Sequence, residues 1–206
     1  MNLVIISASQ RKQSQTVKVV QYMAEAAIGY ENIVHLELCQ LQLPLWDGEQ
    51  VSKLAASSDW LMINKHLQEA DAFIVITPEW SGMASPLLKN LLMMCEAEDT
   101  GHKPALLVSV VNGISGAYPI AELRMNAFKN NKLVAIPDHL IIRNVEEILN
   151  ADKKSTSAFT ERDAHIRHRI GYSLHTLQKY SSALKTLRAE LINQPYENEA
   201  QYSYGM

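Results

Sequence analysis

Cysteine is scarce: the chain of 206 residues carries only Cys39 and Cys95. They form no Cys-x-x-Cys pair and no ligand cluster. A disulfide framework and a zinc ribbon are therefore not expected, and a reducing, cytoplasmic setting is. Long apolar runs are missing as well. No stretch approaches the ~20 residues of a membrane span. The apolar start, Asn2 to Ile6, is short and lacks the basic lead of a signal peptide. Charge of one sign is weak, with a net charge of −3. Lys and Arg are nowhere concentrated enough for a nucleic-acid surface. Several signatures are also absent: Gly-x-Gly-x-x-Gly after the first strand, a Walker A loop, a Gly-x-Ser-x-Gly elbow, and a histidine pair spaced for metal on a helix. No nucleic-acid partner, membrane partner or metal site is expected.

What is present is ordinary in bulk. Apolar residues make up 47% and charged residues 20%, as in a soluble globular protein. A chain this long buries roughly 70% of its unfolded surface as one domain. Residues 3–6 read as a buried strand, and residues 14–27 as a helix stopped at Gly29. Residues 33–38 alternate as a strand, followed by a long loop from Cys39 to Val51. Residues 57–69 read as a helix and 72–76 as the clearest buried strand. Ser85-Pro86 opens a helix, Pro being suited to its first turn. Residues 105–111 are a strand, and about 119–129 a helix. Residues 132–136 and 140–142 read as a last strand region broken at Pro137.

Strands alternating with helices, several of them apolar throughout, predict an α/β fold with a doubly wound parallel sheet. Five strands fit the flavodoxin-like order 2-1-3-4-5, a three-layer sandwich. In that order a ligand lies beyond the carboxyl ends of strands 1 and 3. The loops there are residues 7–16, 77–83 and 112–116, the three with unusual chemistry. The domain is expected to span residues 1–143. Residues 144–206 are expected to be a helical extension packed on the same domain or on a partner subunit. Thr160 to Asp163 resembles a capping box, and Ile166, Ile170, Leu174, Leu177, Leu184, Leu187 and Leu191 mark one long amphipathic helix, with a kink expected at Gly171. Arg167 and Arg169, with His165 and His168, are expected on its solvated face.

The first loop carries the chemistry. A strand, a polar loop and a helix aim backbone N–H groups and the positive end of a helix dipole at one point, which suits a phosphate. Ser9, Ser14 and Thr16 add hydroxyls, and Arg11 adds a forked cation. Ala8-Ser9-Gln10-Arg11-Lys12-Gln13-Ser14 and Thr77-Pro78-Glu79-Trp80-Ser81-Gly82, the latter followed by Leu88-Lys89-Asn90, together resemble the loops of the NADPH-dependent FMN reductase family, within the flavodoxin-like flavoproteins. The resemblance covers about residues 1–142. It departs at Ala8, where the family has glycine and which asks for no positive φ. It departs again at Trp80, in place of tyrosine, and at Met93, where aspartate is usual.

The resemblance implies FMN as cofactor and NADPH or NADH as co-substrate. Ser9, Arg11, Ser14, Gln15 and Thr16 would hold the FMN phosphate. Pro78, Glu79, Trp80, Ser81 and Gly82, with Asn112, Gly113 and Gly116, would flank the ring, their amides stabilising charge on it. No side chain is expected to act as a catalytic acid or base. The implied activity is NAD(P)H-dependent reduction of a small electron acceptor such as a flavin or quinone. Arg11 and Lys12 are the nearest candidates for a 2′-phosphate contact. Alternatives are a flavodoxin-like electron carrier, which −3 and Arg11 disfavour, and a flavin-free interaction protein on the same fold. A homodimer or homotetramer is expected, because Leu43, Leu45, Trp46, Trp80 and Met83 read as apolar groups on exposed loops.

Overall fold

The apolar runs assemble into a single parallel sheet. The computed structural model describes residues 1–150 and 161–202. Strands β1 (Asn2–Ser7), β2 (Asn32–Glu37), β3 (Ala72–Pro78), β4 (Pro104–Val110) and β5 (Val134–Ile142) lie in the order β2-β1-β3-β4-β5. All four pairings are parallel, so the expected flavodoxin-like order holds. β3 and β4 are buried along their whole length, because helices cover both faces of an all-parallel sheet.

Successive side chains leave a strand on opposite faces, and two cores result. Leu3, Ile5, Ile74 and Ile76 meet Val19, Val20 and Met23 of α1 (Gln15–Ala26) and Ile170, Leu174 and Leu177 of α7 (Glu161–Asn193). On the other face Val4, Ile6, Phe73 and Val75 share a core with Ile63 and Leu67 of α3 (Trp60–Glu69), Leu88 and Leu91 of α4 (Pro86–Met94), and Leu123 of α6 (Ala117–Asn126). Two one-turn helices complete the chain, α2 (Gln50–Lys53) and α5 (Ala97–Thr100). Sequence periodicity did not show α5, which is only four residues long and rests on a reciprocal capping box between Glu96 and Asp99.

Pro137 does not break the last strand. β5 runs through it as an edge strand, with a register shift opposite Ala105 to Leu107. An edge position and a bulge are where a residue without an N–H is tolerated. Arg124 of α6 holds this stretch from one side, its Nη2 donating to the carbonyls of Ile136 (2.6 Å), Pro137 (3.0 Å) and Asp138 (3.2 Å). From α7, Arg169 grips the Asp138 carboxylate with both terminal nitrogens.

The long loop after β2 also differs from expectation. It begins with a 3-10 turn, Leu38–Gln40. Leu43 and Trp46 are not exposed but pack on the core. The Trp46 amide donates to Asn90 Oδ1 (2.8 Å), and Asn90 Nδ2 donates to the Pro44 carbonyl (2.8 Å). The buried Lys53 ammonium lies 4.7 Å from the Trp46 ring centre and 5.0 Å from that of Trp60. Leu45 alone of the three apolar residues expected at this surface points to water.

Helix α7 runs without a break in its helical assignment through Gly171. Its first half is buried at Ile170, Leu174 and Leu177, whereas Leu187 is exposed. Arg167 is not on a solvated face: its Nε donates to Asp163 Oδ2 (2.9 Å), and its guanidinium covers the Tyr22 ring at 4.7 Å. Asp163 Oδ1 in turn accepts from the Leu149 amide (2.8 Å). Thr160 and residues 151–158, part of the expected cap and polar tail, lie outside the described residues. Farther along, Arg188 (3.2 Å) and Lys185 (3.3 Å) pair with Asp71.

The hydrogen bonds from Arg169 hold the Asp138 carboxyl below the usual carboxylate range. Its contribution to stability is therefore present above the unfolded-state pKa near 4 and is lost as pH falls through the lower folded value. Asp138→Asn is expected to cost about 1 kcal/mol at pH 7. Urea midpoints measured at pH 7 and pH 3 should differ from wild type at the first pH and converge toward it at the second.

Candidate functional site

The carboxyl ends of β1, β3 and β4 open onto one cleft of about 380 Å³. Its walls include Ser9, Arg11, Ser14, Gln15, Thr16, Pro78, Glu79, Trp80 and Asn112. Nine residues from three separate segments, the loop after β1 with the start of α1, the end of β3 with its loop, and the loop after β4, thus meet where the topology places a ligand. Ser81, Gly82, Gly113 and Gly116 do not line it.

The first loop leaves β1 without strain. The Ala8 amide continues the sheet by donating to the Ile76 carbonyl (2.9 Å), and Ala8 is not among the residues with positive φ. Ser9 Oγ accepts from the Arg11 amide (3.2 Å), which bends the chain toward α1. Ser14 stands at the N-cap position of α1 with an extended backbone, yet its side chain caps nothing and no acidic residue sits in the first turn. The positive end of α1 therefore faces the cleft with no acidic residue in its own first turn, the carboxylates of the cleft coming from Glu79 and Glu146 on other segments.

The second loop is a tight hairpin. The amides of Trp80 and Met83 each donate to the other's carbonyl (3.2 and 2.9 Å). Ser81 and Gly82 take φ of 51° and 75° between them, as a two-residue primed turn needs. Their role is to fix Trp80, which is half-buried and whose ring lies 5.5 Å from Arg11 Cζ. Ser85 caps α4 by accepting from the Leu87 amide (3.2 Å). Lys89 and Asn90 act in the scaffold: Lys89 pairs with Glu122 at 3.0 Å, and Glu122 also accepts from the Ala84 amide at 2.7 Å.

Gly116 shapes the third loop from below. Its φ is +104°, and a Cβ there would lie 2.4 Å from Ile141 Cγ2 and 3.5 Å from Ser109 Oγ. Only glycine fits both the angle and the space. The amides of Glu79, Trp80 and Val111 are engaged inside the protein, the first and last donating to Val110 and Ile142 carbonyls. They are not available to a ligand, whereas among the described residues the Ser81 and Gly82 amides of the second loop have no internal partner. Among the described residues the amides of Asn112 and Gly113 have no internal partner.

Three buried side-chain oxygens have no hydrogen-bond partner among the described residues: Ser14 Oγ, Glu79 Oε2 and Ser109 Oγ. All three sit at the carboxyl end of the sheet, and the first two belong to residues that line the cleft. Buried polar atoms are normally satisfied, and leaving one unpaired costs roughly 1–3 kcal/mol. Such a concentration marks a place that awaits donors and acceptors from outside the chain.

The cleft also includes residues not expected from the sequence: Gln13, Val110, Val111, Val145 and Glu146. Val145 and Glu146 follow β5 and are drawn to the rim by Lys18, whose Nζ donates to the Val145 carbonyl (2.6 Å) and Asn150 Oδ1 (2.8 Å). The signal was present in the spacing of Val145, Ile148 and Leu149, all buried within an otherwise polar stretch.

The chain matches the family described as NADPH-dependent FMN reductase over residues 1–147. It is 30% identical over 116 residues to an NADPH azoreductase of Bacillus sp. (strain OY1-2), a match covering 56% of this chain and 62% of that relative's length. Among solved structures, an oxidoreductase from Corynebacterium diphtheriae superposes with a TM-score of 0.67 at 14% identity, covering 88% of this chain and 97% of the other. The flavoenzyme NAD(P)H:(acceptor) oxidoreductase of Paracoccus denitrificans gives 0.65 at 16% identity, with the same coverage of both chains. At these identities the structures show the shared fold.

Because Ser14 Oγ is buried without a partner, Ser14→Ala should leave the free protein as stable or raise its stability by up to about 1 kcal/mol, the reverse of an ordinary N-cap loss. Chemical denaturation of the ligand-free protein measures this. A loss above 1 kcal/mol would mean the hydroxyl supports the fold.

Proposed function

The chain belongs to the NADPH-dependent FMN reductase family, and on that footing we propose that it is an FMN-dependent NAD(P)H oxidoreductase that reduces a small-molecule acceptor of flavin, quinone or azo type. The observation that carries the reading is the convergence of unpartnered buried oxygens on a cleft at the open end of α1. The names of the Bacillus and Paracoccus relatives support the same chemistry.

In this reading the hydroxyls of Ser9, Ser14 and Thr16, the Arg11 guanidinium and the first-turn amides of α1, Gln15 among them, hold the FMN phosphate. Hydroxyls and amides offer directional donors, and the guanidinium supplies a charge that cannot be titrated away. Pro78, Glu79 and Trp80 form one wall of the remaining cleft, and Val110 to Asn112 the other. Ser81, Gly82 and Gly116 contribute by shaping these walls, and Gly113 by its amide. Bound FMN would supply the redox chemistry between NAD(P)H and the second substrate. The chain's part is to fix that group and to offer the Asn112 and Gly113 amides to charge developing at its edge. No side-chain acid or base is assigned.

The same reading divides the chain into a flavin-binding domain at residues 1–143 and a helical extension at 144–206. It makes the protein a cytoplasmic homodimer or homotetramer without a nucleic-acid or membrane partner. Met83, Ile114 and Tyr118, exposed near the cleft loops, support closure by a second copy, since apolar area left in water costs about 25 cal/mol per Å². Trp46, packed on Asn90 and Lys53, no longer belongs to that surface.

Arg11→Ala is expected to weaken FMN about ten- to a hundredfold, as loss of a charge-assisted contact worth roughly 1.5–3 kcal/mol. Flavin fluorescence titration reads it, and an unchanged affinity would place the phosphate elsewhere. Steady-state oxidation of NADPH with a quinone should give parallel double-reciprocal lines, the pattern of two half-reactions through one site. Intersecting lines would contradict the single-site scheme.

A further inference from the structure

Arg11 and Trp80 come from different loops and, in the family-based reading, from different halves of the cleft. In the structure they touch: the guanidinium carbon lies 5.5 Å from the Trp80 ring centre. This distance is within cation–π range, and tryptophan is the strongest aromatic partner for a cation. Arg11 is exposed, and among the described residues its side chain has no ion pair or hydrogen bond. Among the described residues the Trp80 ring is thus the one electrostatic contact recorded for its side chain. Trp80 in contrast is anchored, through the paired hydrogen bonds with Met83 and the left-handed turn at Ser81 and Gly82. The rigid partner positions the flexible one.

A free arginine side chain must lose much of its rotamer freedom to hold a phosphate, and part of that loss is already incurred when it is stacked. The stack places the guanidinium in the same cleft as the buried Ser14 Oγ and the uncapped start of α1. We propose that Trp80 is a positioning residue for Arg11, so that the aromatic residue of the second loop sets the preference for phosphorylated over unphosphorylated flavin. This rests on the reading of the cleft as an FMN site, but its consequence differs from that of a ring neighbour. A side chain that only stacks on the isoalloxazine treats FMN and riboflavin alike, whereas one that presents Arg11 affects FMN alone.

The test compares FMN and riboflavin binding, by flavin fluorescence, in wild type, Trp80→Phe, Trp80→Leu, Arg11→Ala and the Arg11→Ala/Trp80→Leu double variant. Trp80→Leu should lower the FMN-to-riboflavin affinity ratio about three- to tenfold, and Trp80→Phe, which keeps a weaker aromatic face, should lie between it and wild type. In the Arg11→Ala background the Trp80→Leu change should leave that ratio unmoved. Equal losses for both flavins in Trp80→Leu, or a drop in the ratio that persists without Arg11, would overturn the inference. Phosphorus NMR line broadening of inorganic phosphate by the flavin-free protein gives an arm independent of flavin. Broadening weakened in both Trp80→Leu and Arg11→Ala supports positioning. Phosphate binding that Trp80→Leu leaves intact overturns it. A wild-type protein that binds phosphate but neither flavin would refute the cofactor reading instead, with the Trp80 effect on phosphate still deciding the inference.

Discussion

The strand order reverses between β1 and β3, and the chemistry of the molecule depends on that reversal. The chain winds outward from β1 to β2, then returns to the other side of β1 and winds onward through β4 and β5. At the point of return the loops after β1 and β3 leave the sheet in opposite directions, and a crevice opens between them. Right-handed crossovers require a helix on each face to make that change of direction. The two cores follow from this requirement: α1 and α7 over one face, α3, α4 and α6 over the other.

Within the crevice the protein departs from its own rule of satisfying buried polar atoms. Along the strands nearly every group is paired, and elsewhere even an interior lysine is fully served. Lys103 Nζ donates to the carbonyls of Leu67, Gln68 and Asp99, and burial lowers its pKa to about 8. The unpartnered oxygens gather at the mouth of the sheet instead. Unpaired hydroxyls and an uncapped helix start are unfavourable in the free protein and favourable once donors or a phosphate arrive. A site organised in this way is expected to trade stability of the free chain for affinity, and Ser14, at an N-cap position without a cap hydrogen bond, is where that trade is to be measured.

Much of this was legible in the sequence because it depends on local pattern. Ala72 to Ile76 is apolar throughout, as only a strand covered on both faces can be. Pro86 directly after Ser85 marks a helix start that the structure confirms in its capping bond. What was not legible depends on distant partners. Pro137 reads as a break until Arg124 and the register shift opposite Ala105 to Leu107 are known. Trp46 reads as exposed until Asn90, in α4, is seen to hold its amide. Val145 reaches the cleft through Lys18, which precedes it by more than a hundred residues. The contact between Arg11 and Trp80 joins two loops that the sequence separately marks but does not connect.

The central claim is that the loop after β1 holds a phosphate of the cofactor at the start of α1. The phosphorus NMR signal of FMN added to the purified protein tests this most directly. Free FMN changes charge near pH 6, as phosphate monoesters do. A phosphate held by Arg11, three hydroxyls and the amides of a helix start stays dianionic, because each contact favours the charged form. The account predicts a bound resonance distinct from free FMN whose shift is constant between about pH 5 and 8. A resonance that titrates near pH 6 as in free FMN would contradict it.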